Sequence, residues 1–89
     1  MEVTFSNSFK KSFKQRIQGY NKEPEFYKCL EIFITTPFDP VLKTHKLSGK
    51  LKNFWSFTIA FDLRVVFYFT NDKPKRAVLV DIGNHKEVY

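Results

Sequence analysis

Along the last third of the chain, apolar positions recur at every second residue. The stretch FWSFTIAF sets Trp55, Phe57, Ile59 and Phe61 on one side of a strand and Phe54, Ser56, Thr58 and Ala60 on the other, as a half-buried antiparallel strand requires. Asp62-Leu63 reads as a tight turn. Arg64 then opens VVFYF, apolar on both sides, which suits a central strand. Asn71-Asp72-Lys73-Pro74 is strong turn chemistry. Residues 77–82 form the last strand, Gly83 permits a bend, and the tail carries His85 and Tyr89. Three successive β-type runs predict an antiparallel meander.

The upstream half has a different period. Residues 2–5 (EVTF) read as a short opening strand with Val3 and Phe5 on one face. Ser6-Asn7-Ser8 offers helix N-cap side chains. Phe9, Phe13 and Ile17 follow at i, i+4 and i+8, with Lys10, Lys11, Lys14 and Arg16 directed to a basic outer face. Gly19 is placed to close this helix in a left-handed conformation. A second helix begins near residues 21–25, where Pro24 is tolerated in a first turn and Glu23 and Glu25 suit the positive end of the helix dipole. Phe26, Leu30, Phe33 and Ile34 make its apolar stripe, Cys29 is a small packing residue beside it, and Thr36-Pro37 stops it. From Thr36 to Asn53 neither period appears, so an ordered loop pinned by Leu42, Leu47 and Leu51 is expected. The fold class expected is α+β. An αα-hairpin of two N-terminal helices packs on a twisted antiparallel sheet, made of the short N-terminal strand and the C-terminal three-stranded meander.

Composition narrows the class. A length of 89 residues is expected to form one domain, residues 1–89, since a second would have too little apolar surface to bury. Eleven Phe, four Tyr and one Trp, within 43% hydrophobic content, suit a globular core rather than a disordered tail. The single Cys29 excludes an intramolecular disulfide and a zinc ribbon and fits a reducing compartment. The N-terminal MEVTFSNSFKKSFKQ has no apolar core of signal-peptide length, and no run approaches the ~18–20 apolar residues that cross a bilayer. A cytoplasmic protein with no membrane contact is therefore expected. A net charge of +6 and a pI near 9.6 suggest an acidic partner, nucleic acid first, although a soluble basic surface accounts for the totals as well.

The polar residues at the seams of the meander are types that handle phosphate and protons. His45 and His85 are the only histidines, and an imidazole with an ordinary pKa of ~6.5 suits general acid–base work. Taken alone, two exposed or structurally bonded histidines explain them as well. Arg64 could grip a phosphate with its bidentate guanidinium or simply pair with Asp62. Asp62 reads first as a turn former and second as an orienting or proton-relay group. Tyr89 could stack on an unpaired base or fold back on the sheet. Lys43, Lys46, Lys50 and Lys52, with Lys10, Lys11 and Lys14, could contact phosphates, while a solvated charged face explains any one of them.

The stretch HKLSGKLKNFWSFTIAFDLRVVFYF, followed by AVLVDIGNHKEVY, resembles the RelE/ParE superfamily of bacterial type II toxin–antitoxin systems, nearest to the RelE- and YafQ-like messenger-RNA interferases. The order of elements matches too: short strand, two helices, a loop with His-x-Leu-x-Gly, a meander, and a terminal Gly-x-His-x-x-x-aromatic. The resemblance implies a RelE-like fold and a toxin that cuts messenger RNA, as a rule on the ribosome, by attack of the substrate's 2′-hydroxyl on the adjacent phosphate. It implies no metal and no cofactor. The expected partners are messenger RNA and a cognate antitoxin that neutralises the toxin in a hetero-oligomer. His45 matches the histidine of the loop motif, and Arg64 the arginine opening the central strand. His85 and Tyr89 match the terminal histidine and aromatic residue, and Asp62 an acidic residue of YafQ-like members. Lys43, Lys46, Lys50 and Lys52 become RNA contacts. Two departures stand out. No histidine lies in the strand from Trp55 to Phe61, where some members carry one, and Asp81 stands where others carry an arginine. Which histidine is base and which is acid stays open. The same fold admits a ParE-like gyrase inhibitor, against which the paired histidines argue, and a non-catalytic antitoxin-binding module. A plain RNA-binding protein is the remaining alternative.

Overall fold

Phe57, Val65, Phe67, Leu79 and Ile82 are withdrawn from solvent and share one face of the sheet, which two helices cover. A computed structural model describes residues 1–89. In chain order it contains β1 (Glu2–Phe5), α1 (Asn7–Arg16), α2 (Glu23–Thr35), β2 (His45–Lys46), β3 (Trp55–Ala60), β4 (Leu63–Phe69), β5 (Arg76–Gly83) and a terminal turn of helix, α3 (His85–Val88). The five strands are ordered β1-β5-β4-β3-β2. The architecture is mixed α+β. No helix is long and apolar enough to cross a membrane.

Both long helices form where their local signals lie. Ser6 caps α1, its hydroxyl accepting from the Phe9 amide at 3.1 Å, and Phe9 and Ile17 are buried. Pro24 lies in the first turn of α2, and Glu23 and Glu25 stand at its positive end. Phe9 and Phe13 of α1 meet Phe26 of α2 at ring separations of 5.9 and 5.1 Å. Phe33 enters the sheet layer, stacked on Phe57 at 4.5 Å and edge-on to Phe67 at 4.9 Å. Cys29 sits beneath α2 with its thiol directed at the Ile59 carbonyl. Burial, and secondarily the charge of Glu25, pushes that thiol's pKa up, so it packs as an unreactive group.

Several expectations need correction. The sheet is not wholly antiparallel: β1 runs parallel to β5, with Val3 beside Ala77 and Phe5 beside Leu79. The stretch from Thr36 to Asn53 is not plain loop. It holds β2 and two 3-10 turns, at Pro40–Leu42 and Gly49–Leu51, because Leu42 is fully buried and His45 and Lys46 pair with Ser56 and Trp55. Phe61 does not share the buried face of β3; it is 100% exposed. A register shift between Thr58 and Ala60 breaks the alternation and carries Phe61 out into the turn. Ile34 lies past the buried edge of the α2 stripe and is exposed. The left-handed glycine, by contrast, is where it was expected: Gly19 has a φ of 83° in the turn that follows α1.

A second irregularity matters more. In β5 the register shifts between Val66 and Phe67, so that Val66 faces Asp81 and Phe67 faces Leu79, with Val80 as the extra residue. Unbroken alternation from Ala77 and Leu79 would turn Asp81 into the core and Ile82 outward. The bulge reverses the phase, Ile82 is fully buried, and Asp81 faces the other way.

Phe33→Ala should cost about 3–5 kcal/mol, seen as a lower urea midpoint at unchanged slope. Phe61→Ser should stay within about 0.5 kcal/mol.

Candidate active site

The β3–β4 turn, the start of β4 and α3 meet at one corner of the sheet. Asp62 takes a left-handed conformation, φ 56°, which its short polar side chain tolerates. That turn aims its Oδ1 at two donors, Arg64 Nη1 at 3.3 Å and the His85 backbone amide at 3.2 Å. The second donor lies in the first turn of α3, where amides lack helical partners. Asp62 is thus a turn former whose carboxylate also accepts from both neighbours.

The His85 and Tyr89 rings meet edge-to-face at 4.8 Å, as residues four apart on a helix can. The Arg64 guanidinium lies over the Tyr89 ring, 5.8 Å from its centroid, within cation–π range. The Tyr89 hydroxyl donates to Ser56 Oγ at 2.9 Å, and Ser56 is fully buried. Tyr89 is therefore folded back on the sheet, though it keeps 40% of its surface exposed. No buried side-chain polar atom is left without a partner.

His45 reaches the same face from the other side. It pairs with Ser56 across β2 and β3, a relation that sets the two Cβ atoms ~4.5–5.5 Å apart. The preceding loop is pinned by Leu42 and by the Thr44 hydroxyl, which donates to the Pro37 carbonyl at 2.6 Å. His45 Nδ1 lies 2.9 Å from the Lys43 carbonyl. A carbonyl only accepts, so Nδ1 carries the proton and a neutral His45 keeps Nε2 free as an acceptor. Lys43 itself, with φ 52°, lines a cleft of about 280 Å³ together with Thr58, Asp62 and Arg64. Lys46, Lys50 and Lys52 are exposed and absent from the chain's ion pairs, and they do not line that cleft.

Five contributors escape a reading of sequence alone. Ser56 anchors Tyr89. Arg16 does not lie on the basic outer face of α1: its Nη1 contacts Asp81 Oδ1 at 3.1 Å and the Ile82 carbonyl at 3.0 Å, and its Nε lies 3.5 Å from Glu87 Oε2. Ser12 adds a 2.7 Å bond to Asp81. Glu87 and Asn84 form a capping box that winds the tail into α3. The spacing Asn84-x-x-Glu87 is the signal that would have found this turn. Gly83 is not a bend but the last residue of β5. A Cβ there would come within 2.9 Å of Glu87 Cβ, closer than real Cβ atoms pack, so a side chain at this position would push α3 away.

No group of three or more His, Cys, Asp or Glu side chains is placed to hold a metal. The arrangement offers two imidazoles, a guanidinium with a lysine in one cleft, and a phenol. That is the inventory for moving protons around a phosphate.

Comparison with known proteins places this geometry in context. A family model described as the bacterial toxin of type II toxin–antitoxin systems, YafQ, matches residues 1–89. The crystal structure of YafQ from E. coli strain BL21(DE3) is 16% identical and superposes with a TM-score of 0.81, covering 99% of this chain and 97% of that one. YafQ in the E. coli DinJ–YafQ complex is 18% identical, with a TM-score of 0.78 and coverage of 99% and 97%. A metal-bound toxin from Helicobacter pylori is 27% identical, with a TM-score of 0.78 and coverage of 100% and 99%. A search of curated proteins finds no match.

The ion pair holding α3, Arg16–Glu87, is partly exposed, hence worth about 0.2–1 kcal/mol, and its cap about 1 kcal/mol. Glu87→Ala should therefore speed amide exchange at Val88 and Tyr89 about tenfold, while the urea midpoint of the whole domain barely moves. Hydrogen-exchange NMR reads both.

Proposed function

The chain belongs to the YafQ family of bacterial toxins of type II toxin–antitoxin systems, and on that footing we propose that residues 1–89 form a single toxin domain that is a metal-independent messenger-RNA endonuclease. The observation that carries the reading is the convergence of Asp62, Arg64, His85 and Tyr89, with Lys43 in the Arg64 cleft and His45 opposite Ser56.

In the proposed reaction the ribose 2′-oxygen attacks the adjacent phosphorus as its proton is removed. The bond from phosphorus to the 5′-oxygen of the next nucleotide then breaks, and that oxygen takes a proton. The products are a 2′,3′-cyclic phosphate and a 5′-hydroxyl. His45 is assigned as base, because Nε2 is the nitrogen its bond to Lys43 leaves free. His85 is then the acid, its backbone held by Asp62. Arg64 and Lys43 bear on the non-bridging oxygens, where preorganised cations act most strongly on the transition state. Tyr89 holds the His85 ring and the Arg64 fork in register. The four lysines at positions 43, 46, 50 and 52 add salt-dependent contacts to the RNA backbone, in keeping with a substrate presented on the ribosome in the cytoplasm. The pairing of DinJ with YafQ in the E. coli complex supports a cognate antitoxin as the protein partner of this chain.

The test is induced expression in bacteria, wild type beside His85→Ala and Arg64→Ala, with primer extension on an abundant message. The expected outcome is growth arrest with new 5′ ends for the wild type. Those ends should vanish with His85→Ala and fall about 10²–10³-fold with Arg64→Ala, the scale for loss of one transition-state donor. Arrest with intact messages and trapped gyrase would replace this reading by the ParE-like one. No arrest would leave an antitoxin-binding module.

A further inference from the structure

The face of the sheet that carries Ser56 continues past the catalytic corner to the start of β3 and the end of β4. There Phe54 and Tyr68 lie edge-to-face with ring centres 6.0 Å apart. With Asn53, Phe69 and Asn71 they line an open cleft of about 480 Å³. Tyr68 is 37% exposed, and both asparagines stand in solvent. The hydrogen bonding at this end runs through Thr70, Arg76 and Asp72, which leaves the two carboxamides free for a ligand.

Cross-strand aromatic pairs also stabilise sheets, so the rings alone decide nothing. The surrounding charge does. Lys50 and Lys52 precede the cleft and Lys73 follows it in the β4–β5 turn, all three exposed. The one acid of that turn, Asp72, is taken up by Arg76. Ring faces, free amide edges and a cationic border are together what an unpaired nucleic-acid strand engages, by stacking, by edge hydrogen bonds and by its phosphates. A duplex would present neither free base faces nor free pairing edges here.

Resting on the endonuclease reading above, we propose that this cleft is a base-binding subsite. It takes one unpaired nucleobase of the substrate RNA against Tyr68 and Phe54, and Asn53 and Asn71 contact that base's hydrogen-bonding edge. Phe54, just ahead of β3, and Ser56 lie two residues apart on one face of the sheet, ~7 Å at the strand rise, so one RNA strand reaches from this cleft to the corner where Tyr89 rests on Ser56. Lys50, Lys52 and Lys73 hold its backbone at either side.

The test is an NMR titration of isotopically labelled protein with 2′-O-methyl RNA tetranucleotides of each base, which bind but lack the attacking hydroxyl. An abasic tetranucleotide of equal charge serves as the control. The side-chain amide signals of Asn53 and Asn71 should shift and saturate with base-containing strands, and stay still with the abasic one. Tyr68→Ala should weaken binding about 5- to 100-fold, the scale of one lost base–aromatic stack. Asn71→Ala lies in a turn, outside the sheet, and should reduce the difference in affinity among the four bases. The proposal is overturned if those amides stay still with every strand, if the abasic strand moves them equally, or if both variants bind as wild type does. Shifts without cleavage in cells would sink the endonuclease reading and leave the subsite standing. Cleavage without shifts would sink the subsite alone.

Discussion

A carboxylate cannot sit unpaired in an apolar layer, and one extra residue in β5 keeps Asp81 out of the layer beneath the helices. The phase reversal at Val80 buries Ile82 and presents Asp81 to Ser12 and Arg16 of α1. Through Arg16 the same charge reaches Glu87, and with it the helical turn that carries His85 and Tyr89. Without the bulge, Arg16 would lose its carboxylate partner on β5, and the alternation of β5 would oppose its own burial.

That tether is light. Its ion pairs are partly exposed, and the capping box supplies a comparable increment, so α3 is held by a few interactions of about 1 kcal/mol each. The core, by contrast, rests on Phe26, Phe33, Phe57 and Phe67, all essentially inaccessible. The molecule therefore joins a stiff aromatic layer to a loosely docked terminal turn, and two of the candidate groups, His85 and Tyr89, lie on the loose part. Such sites belong to the low-stability end of a structure, and Asp62, by bonding both Arg64 and the His85 amide, ties that turn back to the rigid sheet.

Charge is distributed to the same end. The chain has 15 Lys and Arg against nine Asp and Glu, yet only Arg16, Arg64 and Arg76 join ion pairs. The lysines stand free, on the outer faces of the helices as well as around the exposed sheet face and its loops. Leaving them unpaired costs a small protein some self-repulsion. It also leaves their full charge available to a polyanion, whose displaced counterions favour binding.

Local chemistry was legible in the sequence. The Ser6 cap, the stripe of Phe9, Phe13 and Ile17, Pro24 with its flanking glutamates and the period-two runs of the meander each depend on neighbours within a few residues, and each formed where its signal lies. So did the loop anchor Leu42. Of the site, His45, Asp62, Arg64, His85 and Tyr89 could be singled out as residue types at seams. Their mutual geometry could not. The parallel pairing of β1 with β5, the bulges that expel Phe61 and turn Asp81 outward, and the inward turn of Arg16 are set by strands and helices distant in the chain. Ser56 had no reason to stand out until Tyr89 was folded onto it. Periodicity assigns a residue to a face only while the register is unbroken, and where a register breaks is decided by the partner strand, which the tertiary structure alone supplies.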